Sequence, residues 1–235
     1  MDIRAFKELS FPRKLTYDVL SELFSKRPDE TFLRKLCTGG LMAFLGKSCE
    51  CEEITGKLEL TLKGLLYDNA KITKLCGEFE QVFLIPVADT YVPPMASAFM
   101  GPDTKAALSG SLHEELTAIY GLYGAKFRND KEDVFVFHPD HIASLFNFMA
   151  FLVEKENYNS KQDASYTFHA VVYGEERFFA RFIQSWINGY LSEMRSKVSS
   201  DFYKQIAAFT QNYISNENRL LRAVRPEEMP RAAGR

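Results

Sequence analysis

Two imidazoles, a carboxylate and a proline stand within four residues at His138-Pro139-Asp140-His141, directly ahead of a strongly apolar stretch. Imidazole and carboxylate side chains move protons, hold transition metals or accept hydrogen bonds from cationic groups. One reading is a metal-dependent hydrolase using His138, Asp140 and His141. Such a centre needs further ligands from other segments, and only His113 and His169 remain in the chain. The plainer account makes His138 an N-cap and Asp140 a partner for the positive end of the helix dipole.

A second cluster, Cys49-Glu50-Cys51, offers two thiols. A structural zinc takes four ligands, commonly in paired C-x-x-C spacing, and Cys37, Cys49, Cys51 and Cys76 contain no such pair. Ordinary buried or surface thiols are expected, with no metal and no other cofactor. No Gly-x-Ser-x-Gly elbow and no Gly-x-x-x-x-Gly-Lys phosphate loop occurs, so no catalytic residue is assigned.

The elements that must position the His-Pro-Asp-His cluster are nearly all helical. After Pro139, which suits a first helical position, Ile142, Leu145, Phe146, Met149, Leu152 and Val153 keep the three-and-four spacing of a buried stripe. A polar connector is expected from Glu154 to Ala164. Upstream, Pro12 is expected to open a helix carrying Leu15, Val19, Leu20, Leu23 and Phe24. Pro28 is expected to open a second with Phe32, Leu33 and Leu36, stopped at Gly39-Gly40. Ile54 to Leu66 and Ile72 to Phe83 read as two more, the latter ended by Pro86.

A capping box at Ser111-Leu-His-Glu114 predicts a helix through Tyr120 and Tyr123 to Gly124. Phe178 to Tyr190 and Phe202 to Ile214 give two aromatic stripes, read as packing volume. Only Asp133 to Phe137 looks extended. The expectation is an all-α, single helical domain of about ten helices over residues 1–221, with a flexible tail at 222–235.

From Ile85 to Ser109 the helical period is lost, and Pro86, Pro93-Pro94, Ala96-Ser97-Ala98 and Gly101-Pro102 accumulate. A long proline-rich loop within a compact domain is usually functional. Tyr91, Met95, Phe99 and Met100 give this one side chains that gain from burial or from gripping a ligand.

The chain has 235 residues and a net charge of −2, without a polycationic face, so nucleic acid is not an expected partner. No apolar run reaches the roughly 18 residues that span a bilayer, so stable membrane insertion is not expected and a cytoplasmic protein is.

The order of these features resembles the TorD/DmsD/NarJ-type chaperones that mature redox enzymes. The resemblance is carried by Tyr91-Val-Pro-Pro-Met-Ala-Ser97, which is similar to Tyr-x-Pro-x-Glu-Ser. It is carried also by Pro139-Asp140-His141 followed by Leu145, Phe148, Met149, Ala150 and Leu152, and by Phe178-Phe179 through Trp186 to Phe202-Tyr203. This chain has Ala96 where the family usually has Glu, and His138 where it usually has an acid.

The resemblance implies a non-enzymatic cytoplasmic chaperone, monomer or dimer. Its partner would be the twin-arginine signal peptide, or the N-terminal region, of the precursor of a molybdopterin-containing oxidoreductase subunit. It implies a peptide-binding site at Tyr91, Pro93, Pro94, Ser97, Phe99, Tyr120, His138, Pro139, Asp140 and His141, with the proline-rich loop facing the Asp140-His141 turn. Within it, Asp140 would accept hydrogen bonds from the arginines, and His141, titrating near neutral pH, would make the grip acid-sensitive.

Overall fold

Helical periodicity dominates because apolar side chains recur every three or four residues and must share one buried face. The computed structural model describes residues 3–86, 88–100, 109–125, 138–159 and 165–224. It places α1 at Ile3–Glu8, α2 at Ser10–Ser25, α3 at Glu30–Cys37, α4 at Leu41–Ser48, α5 at Glu52–Leu66 and α6 at Asn69–Phe79. Then come α7 at Ser109–Leu122, α8 at Ile142–Asn159, α9 at Ser165–Phe179, α10 at Ile187–Lys197 and α11 at Asp201–Val224. The all-α, single-domain expectation holds. Among the described residues no helix is long and apolar enough to cross a membrane.

Several boundaries differ from the sequence reading. Pro12 lies inside the first turn of α2, where a missing N–H is tolerated, and α1 and α4 were not anticipated. Pro28 does not open α3. Asp29 does, accepting a hydrogen bond from the Phe32 N–H at 2.8 Å. Gly39 and Gly40 do break the chain, with φ of +65° and +71°, a region that disfavours side chains with a Cβ.

Helix α7 begins at Ser109, ahead of Ser111, so Ser111 is not its cap. Helix α8 continues past Val153 to Asn159, taking up part of the expected connector. Helix α11 extends to Val224, beyond the expected boundary at residue 221. The strand expected at 133–137 and the tail from 225 onward lie outside the described residues.

Two helices end in π turns, α6 at Glu80–Leu84 and α9 at Ala180–Gln184. Each inserts an extra residue into the hydrogen-bond ladder and leaves the following chain in a changed register.

The core is built where α2 and α8 lie along one another, with α9, α10 and α11 closing over them and α3 to α6 on their N-terminal flank. Aromatic rings form a connected spine. Tyr17 meets Tyr213 at 5.1 Å and Phe146 at 6.1 Å, Phe24 meets Phe83 and Tyr190, and Phe83 meets Tyr203 at 5.3 Å. All are buried. Truncating one such ring to alanine costs about 3–5 kcal/mol, because the cavity left behind relaxes only in part.

The interior also holds charge. Arg13 on α2 is buried and donates to Glu156 of α8 at 2.5 Å, Glu175 of α9 at 2.7 Å and Glu217 of α11 at 2.8 Å. Ser10 donates to the Glu156 carboxylate at 2.8 Å, and Tyr17 to Glu217 at 3.2 Å. One guanidinium cannot neutralise three carboxylates. Burial, then the neighbouring Glu156, pushes the Glu175 carboxyl well above the usual range, which favours its neutral form. Its Oε2 accepts from Arg13 at 2.7 Å, and its Oε1 is buried.

Candidate functional site

The proline-rich loop reaches its place by leaving the π turn of α6 and folding back on it. The Val92 N–H donates to the Val82 carbonyl at 2.8 Å, and Val92 is itself buried. The prolines that follow keep the chain extended. As a result Met95 pairs with His141 in a single antiparallel bridge. The Ala96 N–H donates to the Asp140 carbonyl at 3.0 Å, and the Ile142 N–H donates to the Pro94 carbonyl at 2.9 Å. A short 3-10 turn, Ala96–Ala98, then aims Ser97 at the Asp140 side chain.

Asp140 is the pivot of this junction. Its Oδ2 accepts the Ser97 hydroxyl at 2.6 Å and the Ser97 N–H at 3.2 Å, while its Oδ1 lies 2.6 Å from His113 Nε2 on α7. Tyr120, about two turns further along the same face of α7, donates its hydroxyl to the Pro139 carbonyl at 2.7 Å. Burial and the nearby Asp140 charge raise that phenol well above its ordinary value, so it stays a donor. Three elements far apart in sequence, the loop, α7 and the turn before α8, are thus fastened through one carboxylate.

Pro94, Met95, Ser97, Tyr120, Pro139, Asp140 and His141 are brought together by direct bonds. His138 joins through His113, their ring centroids 6.0 Å apart, and it is exposed to solvent. Phe99 turns to a second aromatic group, lying 5.8 Å from the Trp186 ring and 5.6 Å from that of Tyr190. Tyr91 and Pro93 are half-buried on the extended stretch before Met95. Residues 101–108 and 126–137, which complete the expected loop and the segment before His138, are outside the described residues.

Two expected roles need correction. Asp140 is fully buried and both its oxygens are engaged within the chain, so it is not offered to an incoming arginine in this conformation. His141 is also buried. Its Nδ1 accepts the Ala143 N–H at 3.1 Å, and desolvation lowers its pKa to about 3, so it is neutral rather than titrating near pH 7.

His141 therefore does not converge with His138 and Asp140 as a ligand. The histidine that does is His113, which sequence spacing could not select because it lies on another helix. The partners of Phe99, Trp186 and Tyr190, had been read only as packing volume. The buried Arg13–glutamate cluster was missed altogether.

The four cysteines are free thiols, with the Cys49 sulfur 3.6 Å from the Thr16 hydroxyl. A cavity of about 370 Å³ opens between α2, the α4–α5 connection and α11, where Thr16, Cys49 and Glu217 reach its wall. None of the loop-junction residues lines it.

Comparison with known proteins points one way. The family model described as nitrate reductase delta subunit matches residues 48–191. The chain is 24% identical over 220 residues to the chaperone protein TorD of Shewanella sp. strain ANA-3, covering 91% of this chain and 96% of that one. It is 23% identical to TorD of Shewanella sp. strain MR-4 with the same coverages, and 22% identical to TorD of Shewanella loihica over 86% and 90%. No solved structure gives a significant match. The hydrolase reading finds no support in these relatives or in the placement of His141.

Proposed function

Given that this chain belongs to the nitrate reductase delta subunit family and is a redox-enzyme maturation chaperone rather than an enzyme, we propose how it takes its client. It binds, in the cytoplasm, the twin-arginine signal peptide or adjoining N-terminal region of a molybdopterin-containing oxidoreductase subunit before export. The observation that supports this is the Asp140 junction. It holds an extended, proline-stiffened stretch with half-buried Tyr91, Pro93, Met95 and Phe99 side chains at a fixed place on a helical scaffold. A preorganised stretch of that kind lowers the ordering cost of gripping an extended apolar peptide.

In this reading Asp140 and Ser97 are positioning residues, and exposed His138 with half-buried Pro139 forms the lip of the turn. The apolar middle of the peptide lies against Tyr91, Pro93, Met95 and Phe99, where burying each apolar side chain contributes about 1.5–3 kcal/mol before ordering costs. Calorimetric titration with a synthetic twin-arginine signal peptide, beside a version with both arginines replaced by lysine, tests it. Micromolar binding weakened by the replacement is expected. Equal binding of both versions would place recognition in the apolar middle of the peptide rather than in its arginines, binding of the precursor but of neither peptide would leave the N-terminal region of the mature client as the contact, and binding of neither peptide nor precursor would overturn the reading.

A further inference from the structure

The place where α7 meets the turn before α8 carries more chemistry than a peptide lip requires. One nitrogen each from His113 and His138 and one Asp140 oxygen all lie within 4.8 Å of one another. Asp140 is buried and fixed from behind by Ser97, and the Tyr120 hydroxyl fixes the adjoining Pro139 carbonyl. His113 is partly exposed and His138 exposed, which leaves an open approach from solvent. Two imidazoles and one carboxylate, held by hydrogen bonds from behind and open in front, form a donor set suited to a divalent first-row transition metal rather than to magnesium or calcium.

We propose that His113, His138 and Asp140 bind such an ion, with zinc as its natural probe, leaving a fourth position to water. Zinc bonds of 2.0–2.2 Å in tetrahedral array put neighbouring ligand atoms about 3.4 Å apart. His113 Nε2 and Asp140 Oδ1 are now 2.6 Å apart around a proton. The metal takes that proton's place after a small opening of the pair, and the exposed His138 ring swings in as third ligand. The proton leaves to solvent, and the ion pins α7 to the turn. This inference does not rest on the peptide reading, since the ligands are defined whether or not a peptide binds.

The test is calorimetric titration of the tag-free, metal-stripped full chain with zinc in two buffers of different ionisation enthalpy. One equivalent should bind at micromolar or tighter affinity, with proton release seen as a buffer-dependent heat. His138→Ala alters an exposed side chain, so folding is retained, and it should weaken binding roughly a hundredfold. His113→Ala should do the same, whereas Cys49→Ser/Cys51→Ser should leave affinity unchanged. Cobalt(II) in place of zinc should give visible bands without a thiolate charge-transfer band. Absence of stoichiometric binding, binding indifferent to His138→Ala, or binding lost in the cysteine variant would each overturn the assignment.

Discussion

Ser97 gives both its backbone N–H and its hydroxyl to a single oxygen of Asp140, at 3.2 and 2.6 Å. Because Ser97 belongs to the loop and Asp140 to the turn before α8, the pair decides where the loop lies. Ser97→Ala removes the shorter bond, a charge-assisted one, and should cost about 1.5–3 kcal/mol in urea unfolding. The same change should weaken signal-peptide binding in calorimetry. An unchanged affinity alongside a measurable stability loss would separate loop placement from recognition.

Arg13 faces three buried carboxylates. Arg13→Met strips the one cation from that site and should destabilise by about 3–5 kcal/mol at neutral pH. Acidification to pH 5 should recover part of the loss as further carboxyls take protons. Chemical denaturation at the two pH values measures both effects, and equal losses at each would show that packing, not charge, dominates.

Glu175 gives a pH signature of its own. Its carboxyl is raised above the ordinary value of 4.5, so the folded state holds a proton that the unfolded chain releases first. Its contribution is therefore fully present below 4.5 and is lost as pH rises toward the folded value. Glu175→Gln removes that titration. The variant should gain on the wild type steadily above pH 4.5 and match its trend below, as read from unfolding midpoints across pH.

The chain has one tryptophan, Trp186, and Phe99 of the loop lies 5.8 Å from its ring. Its emission therefore reports loop position. Phe99→Ala should shift the spectrum and, by removing an aromatic pair, cost about 0.5–1.5 kcal/mol beyond the lost burial. Addition of a twin-arginine peptide should move the emission of the wild type and leave that of the variant nearly still.

The fold was legible because apolar periodicity is strong. The stripe from Ile142 to Val153 and that from Phe202 to Ile214 are buried as read. The same stripes held a signal that went unused. Glu156 continues the first at the next three-residue step, Glu217 the second, and Glu175 falls between Val172 and Phe178 on a third. A charged residue in register with a buried face is either an end of the helix or one arm of an internal ion cluster, and here it is the latter.

At the site, the family resemblance implied that the loop faces the turn but could not supply His113, since which face of α7 meets the turn is decided by packing. It could not show that Asp140 is buried either. An acid at a helix start reads the same whether it faces water or, as here, closes over two partners. The two π turns were not read from the sequence, since apolar periodicity gives only the helical period and not the register of the hydrogen-bond ladder.

The Arg13–Glu217 contact joins residues 204 positions apart. During synthesis, Arg13 leaves the ribosome long before Glu217 exists, and helices α2, α8 and α9 must wait with an unfinished polar interior until α11 emerges. Helix α11 therefore completes the polar cluster. A chain truncated before Glu217 lacks the carboxylate that accepts from the Arg13 Nε, and it exposes the apolar face that α11 would cover. Helix α2, among the first to be made, therefore gains its full set of polar partners only when α11 is in place.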